Sequence, residues 1–123
     1  MTRRAILPML LAIAICLASV LPAMAESQVY IHYIVVPIPS QDGITDEIAA
    51  FRAKLIELAG GYTEMGLVNG GSVVADGKVE TSRNFAYMVS ASRNITADLE
   101  EYVPQHFPTS KPFVLVWTGS VNF

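Results

Sequence analysis

The stretch Gln28-Val29-Tyr30-Ile31-His32-Tyr33-Ile34-Val35-Val36-Pro37-Ile38 decides how this chain is read. It is rich in β-branched and aromatic residues and shows no helical period, so it reads as an extended strand. Alternate side chains of a strand point to opposite faces. Val29, Ile31, Tyr33 and Val35 therefore share one face, and Tyr30, His32, Ile34 and Val36 share the other. Both sets are apolar, the pattern of a strand covered on both sides. Phe113-Val114-Leu115-Val116-Trp117 has the same character near the C-terminus and reads as a second such strand.

Between these two runs the chain changes period. Pro37, Pro39, Ser40, Gln41, Asp42 and Gly43 make a loop, after which Thr45 can cap a helix with Asp46 and Glu47 in its first turn. Ile48, Phe51, Leu55 and Leu58 recur at spacings of three and four and form one buried stripe, and Gly60-Gly61 ends the helix by supplying positive φ. Tyr62 to Ala75 is extended again, with a bulge expected at Asn69-Gly70-Gly71. Asp76-Gly77 signals a two-residue hairpin into a strand from Lys78 to Ala91, loosening around Thr81 to Arg83. Thr96 can cap a second helix bearing Leu99, Tyr102 and Val103, which Pro104 kinks or ends.

The order strand, helix, strand, strand, helix, strand predicts an α+β fold, a ferredoxin-like βαββαβ plait with two helices on one face of a four-stranded antiparallel sheet. Two helices cover one face only, so the other apolar face of the first and last strands is left as a patch of interface size. Association of copies through that face, as a dimer or a trimer, is the expectation. Loops folded over the sheet are the alternative.

Residues 1–25 read as an export signal. Arg3 and Arg4 are followed by an almost wholly apolar run from Ala5 to Val20 and by Ala23-Met24-Ala25, a small-x-small cleavage pattern. The run approaches the length of a membrane-spanning helix, but Pro8 and Pro22 bracket it and the cleavage pattern follows. Thr2-Arg3-Arg4 also resembles a twin-arginine signal, and Cys16, preceded by Ile15, lacks the small residue of a lipidation site. Cleavage before Glu26 makes 26–123 one periplasmic or secreted domain of 98 residues, the 123 of the chain less 25. Without Arg3 and Arg4 it carries six Lys and Arg against eleven Asp and Glu, a formal charge of −5. No basic cluster appears, so neither nucleic acid nor an anionic membrane surface is an expected partner. The only cysteine lies in the signal, which excludes a disulfide, a thiolate metal site and a cysteine nucleophile from the mature domain.

Few residues suggest chemistry. His32 is the one histidine inside a predicted element, and its titration range suits a general base or a metal ligand. His106 can join it only if the fold brings the two together, and no spacing marks a metal site. Tyr62 at a helix-to-strand junction, with Glu64 or Glu80, could serve acid/base chemistry, although cross-strand pairing of Glu64 or Glu80 with Arg83 or Lys78 explains the same charges. Trp117, Phe113 and Leu115 share a face, and with Tyr30 or Tyr33 could stack on a small ligand between subunits. Asn69-Gly70-Gly71-Ser72 offers backbone amides but lacks the lysine and helix of a phosphate loop. Ser82 and Ser90 have no nucleophile-elbow setting, and Asn94-Ile95-Thr96 reads as a loop and helix cap in preference to a glycosylation acceptor.

Gly60-Gly61-Tyr62-Thr63, Gly70-Gly71, Asp76-Gly77-Lys78-Val79-Glu80 and the closing Ser120-Val121-Asn122-Phe123 resemble a family of small exported bacterial proteins known only as a domain of unknown function. That family carries an aromatic residue after the glycine matching Gly71, where this chain has Ser72. The resemblance implies a plait and export and brings no catalytic residue with it. A more distant similarity, resting on topology and on the glycine turn leading to Glu80, is to plait proteins that bind adenine-containing ligands between subunits, including phage S-adenosylmethionine lyases and PII-like trimers.

Two functions remain open from sequence. One is a non-catalytic periplasmic binding or interaction module that self-associates through its sheet and takes a small-molecule or protein ligand, with Tyr30, Glu64, Arg83 and Trp117 as ligand-binding residues. The other is a small cofactor-independent lyase or isomerase with an intersubunit site that uses His32, Tyr62 and Glu80 as acid and base. No cofactor and no resident metal is implied by either.

Overall fold

A computed structural model describes residues 27–38, 45–109 and 111–121. The segment expected to be an export signal, most of the proline-rich loop after the first strand, and Asn122-Phe123 lie outside the described residues. Strands β1 (Ser27–Pro37), β2 (Thr63–Val73), β3 (Val79–Ala91) and β4 (Phe113–Val121) alternate with helices α1 (Asp46–Ala59) and α2 (Thr96–His106) in the expected order. The strands form one antiparallel sheet in the order β2-β3-β1-β4. This is the ferredoxin-like plait.

Register assigns the two faces. Ile34 lies between Tyr87 and Val114, Val36 opposite Phe85, and His32 between Val89 and Val116. Ile34, Val36, Phe85, Tyr87 and Val89 meet Ile48, Phe51 and Leu55 of α1 and Leu99 and Val103 of α2 in one closed core. Phe51 is its hub, meeting Tyr87 edge-on at 5.5 Å and Phe107 edge-on at 5.5 Å between ring centroids. The opposite face pairs Ile31 with Trp117, Tyr33 with Leu115 and Val35 with Phe113. Neither helix covers it.

Local chemistry explains the boundaries. Thr45 Oγ1 accepts the amide of Ile48 at 3.4 Å, and Gly60, in the left-handed region at φ 81°, closes α1 as its sequence predicts. Pro104 lies inside α2, which continues to His106 before it ends. Thr96 is the first residue of that helix and not its cap. Ile95 holds the cap position without a side-chain bond, and Asn94 before it satisfies the first helical amide, its Oδ1 accepting from Thr96 N–H at 2.9 Å and from the Thr96 hydroxyl at 2.7 Å.

The central hairpin departs from the sequence reading at three places. The bulge falls between Glu64 and Gly66, where Gly66 takes φ 93°, while Asn69, Gly70 and Gly71 pair in straight register with Arg83, Ser82 and Thr81. Gly66 supplies the backbone freedom a bulge demands, whereas Gly70 and Gly71 leave room for the opposing strand. Consequently β3 does not loosen at Thr81 to Arg83. The turn has three residues and not two: Gly77 N–H donates to Val74 O at 2.9 Å, Val74 N–H donates to Lys78 O at 2.9 Å, and Gly77 takes φ 79°. A type I turn followed by a left-handed glycine is the favoured three-residue solution.

Removing the hub should collapse this core. Phe51→Ala is expected to cost about 3–5 kcal/mol, lowering Tm by more than ~12 °C in thermal denaturation followed by circular dichroism.

Candidate functional site

His32 is fully buried on the helix side of β1. Its Nε2 accepts the amide of Ile95 at 3.1 Å, at the start of α2. That bond places the ring proton on Nδ1, which has no partner among the described residues. Nε2 also lies 3.3 Å from Asn94 Oδ1. Because Nε2 accepts the Ile95 amide, it has no proton to give Oδ1, which accepts instead from Thr96. His32 and Asn94 thus divide the free amides at the N-terminus of α2, and a buried neutral histidine fastens that helix to the sheet. Arg93 adds a bidentate pair to Asp98 at 2.6 and 3.1 Å, and this hydrogen-bonded guanidinium holds the Asp98 carboxyl below the usual range.

A second polar cluster lies where α1 crosses β2 and β3. Arg52 Nη2 stands 2.6 Å from Glu64 Oε2, and its guanidinium carbon sits 5.9 Å from the centroid of the Phe85 ring. Tyr87, fully buried, points into this cluster with its hydroxyl unpartnered among the described residues, and Tyr62 meets its ring edge-on at 5.6 Å. Burial pushes the Tyr87 phenol up, while the neighbouring Arg52 guanidinium pulls it back.

The remaining candidates are dispersed. Glu80 is exposed in the projecting part of the hairpin, opposite Ser72. It lies seven residues along β3 from Tyr87, the ring on which Tyr62 packs, roughly 23 Å away at the rise of an extended strand. His32, Tyr62 and Glu80 therefore do not converge within one chain. Arg83 faces Asn69 and makes no ion pair among the described residues, Lys78 pairs with its neighbour Asp76, and Glu64 pairs with Arg52 and not across the hairpin. Tyr30 and Trp117 belong to opposite faces, since Trp117 is opposite Ile31 and shares its face with Tyr33. His106 stacks on Tyr102 at the far end of α2, its Nδ1 at 2.8 Å from Tyr102 O, about 15 Å from the His32 end at helical rise. Among the described residues no group of three His, Cys, Asp or Glu side chains is placed to hold a metal ion.

One open cleft of about 440 Å³ lies at the end of the sheet, where β2 starts at Thr63 and leaves the last residues of β3 without a partner on that side. Gly60, Gly61, Tyr62, Thr63, Met88 and Ser90 are among its walls. Tyr62 is the one sequence candidate that lines it. Sequence reasoning passed over Arg52 and Tyr87, whose roles depend on the helix-to-sheet crossing, and it had no local signal for either.

No protein-family model and no curated protein matches the chain. Solved structures do. The divalent cation tolerance protein CutA1 of Thermus thermophilus aligns with a TM-score of 0.54 and 17% identity, over 73% of this chain and 82% of its own. CutA1 of Oryza sativa gives 0.57 and 15%, over 80% and 84%. The periplasmic divalent cation tolerance protein CutA of Archaeoglobus fulgidus gives 0.52 and 21%, over 73% and 81%. At these identities the likeness shows a common fold. The neighbours carry a family name of their own, so the expected kinship with a domain of unknown function is corrected to a likeness of architecture.

Two substitutions probe these clusters. His32→Leu leaves the buried Ile95 amide without an acceptor and should cost about 1–3 kcal/mol, with faster hydrogen exchange at Ile95 and Thr96 than in the β-ladder. Tyr87→Phe should leave stability at neutral pH within about 1 kcal/mol. Because burial raises the folded phenol above its unfolded value near 10, the unfolded chain ionises first and wild-type stability falls as pH rises past about 10. Tyr87→Phe should flatten that alkaline loss when Tm is compared at about pH 9 and about pH 11.

Proposed function

We propose that this chain is an exported, non-catalytic binding or interaction module that works as an assembly of copies joined through the open face of its sheet. The observation that carries the reading is that face itself. Phe113, Leu115 and Trp117 are 56, 51 and 43% exposed, beside Ile31, Tyr33 and Val35, and no described loop lies over them. Large neighbouring apolar side chains in water mark an interaction surface. No charged residue stands among these six, so the face suits an apolar partner surface.

Two further observations favour binding over turnover. The polar groups on the helix side fasten secondary structure, and the acid and base candidates are spread over the molecule. No described helix is long and apolar enough to cross a membrane. The structural neighbours named for divalent cation tolerance extend the reading to a role where such cations are handled. A cation site would then draw its carboxylates or histidines from more than one copy.

Native mass spectrometry of the protein purified from the periplasm should return a multiple of the chain mass. Leu115→Glu should reduce that multiple to the single chain while leaving the far-ultraviolet circular dichroism unchanged. A wild-type monomer overturns the proposal.

A further inference from the structure

Strand β3 outruns β2 at one end. The last pair between them is Thr63 with Met88, while β3 continues to Ala91 and stays paired with β1 as far as Tyr30. In an antiparallel ladder the backbone groups of successive residues turn alternately to one neighbouring strand and to the other. Arg83 O accepts from Ile38 N–H on the β1 side at 3.2 Å, so the residues of β3 an odd number of places from Arg83 turn their amides and carbonyls toward β2. Met88 meets Thr63 there. Ser90, the next such residue, aims its N–H and C=O where no described strand follows.

Gly61 and Tyr62 would cover Ser90 and Val89 if β2 kept its register, yet they leave the sheet to join α1, Tyr62 laying its ring against Tyr87. The cleft of about 440 Å³ opens where they leave, a volume in the range of small-ligand sites. Helix α1 ends at the same cleft, with Ala59 and Gly60 in its wall. Its last turn carries no basic side chain, and the carbonyls of Glu57, Leu58 and Ala59 accept no amide among the described residues. None of the lining residues is charged. The negative end of the helix dipole therefore meets the cleft without a cation. Gly61 keeps the space clear: its φ is not left-handed, so its backbone does not require glycine, and a Cβ built on it meets nothing within 4 Å.

We infer that this cleft binds the N-terminal end of an extended peptide. One peptide residue pairs with Ser90 by exchanging two main-chain hydrogen bonds, as an added strand does, and the α-ammonium group donates to the carbonyls at the end of α1. The two contacts select the ligand together. A carboxylate is repelled by that helix end, and an amine without a main chain leaves Ser90 unpaired. Val29, Met88 and Val121 offer an apolar wall to a small side chain. The site is complete within one copy, so it stands or falls independently of association through the open sheet face.

Trialanine is the probe, titrated into the isotope-labelled protein and followed by heteronuclear NMR. The amide signals of Gly61 and Ser90 should shift in a saturable way, and Ser90 should gain protection from hydrogen exchange while the amides of α2 stay unmoved. N-acetyltrialanine should bind about fivefold more weakly, for loss of the charge at the helix end. Propylamine should leave the exchange of Ser90 unchanged. Gly61→Leu places a side chain in the cleft at an unstrained position and should abolish the shifts, with circular dichroism and Tm as in the wild type. No saturable shift at a trialanine concentration of about 10 mM would overturn the site. Equal binding of N-acetyltrialanine would overturn the ammonium contact, and protection of Ser90 by propylamine would overturn strand addition. A folded Gly61→Leu protein that binds trialanine as the wild type does would overturn the placement in this cleft.

Discussion

A sheet with two apolar faces and, among the described residues, only two helices to cover them set the terms for everything else in this molecule. Both helices pack on one side, because the crossovers from β1 to β2 and from β3 to β4 place them there. Their stripes, built on Ile48, Phe51, Leu55, Leu99 and Val103, close over Ile34, Val36, Tyr87 and Val89. The surplus of apolar surface on the other side is then a necessary consequence. A domain of this size, whose described residues hold no cysteine, gains stability when such a surface is covered by further protein.

On the covered side the polar groups act as fasteners. His32 is the instructive case, since a histidine on a predicted strand looks like a base in sequence and in the fold accepts a helix amide. Asn94 shares that task, and the Arg93–Asp98 pair braces the same corner. Arg52 and Glu64 tie α1 to the edge strand in a similar way, with Tyr87 beneath them. These devices fix the angle at which helices meet the sheet, and so they fix the shape of the open face behind it.

The likeness to divalent cation tolerance proteins belongs to the same level of description. A plait of this kind serves many purposes, and identities of 11 to 21% leave the individual site residues free to differ. In this chain the uncovered apolar groups lie on the sheet face and at the tip of the β2–β3 hairpin. Their placement argues for assembly more strongly than any arrangement of titratable groups argues for catalysis.

Much of the fold was legible in sequence because local physics controls it. The alternation from Val29 to Val36, the spacing of Ile48, Phe51 and Leu55, and the cap and stop at Thr45 and Gly60 depend on neighbours within one or two turns, and all appear as read. The hairpin was less legible: Asp76-Gly77 fits two turn types equally well, and whether Gly66 or Gly70-Gly71 forms the bulge depends on strand register. The candidate site was legible only in its residue types. Which face His32 occupies, that Arg52 reaches Glu64, and that Tyr30 and Trp117 stand on opposite sides are outcomes of pairing between strands far apart in the chain. A one-residue slip would have reversed each of them. Sequence alone therefore determined the elements and the excess of apolar surface, and the tertiary structure decided where that surface faces and which polar groups it leaves free.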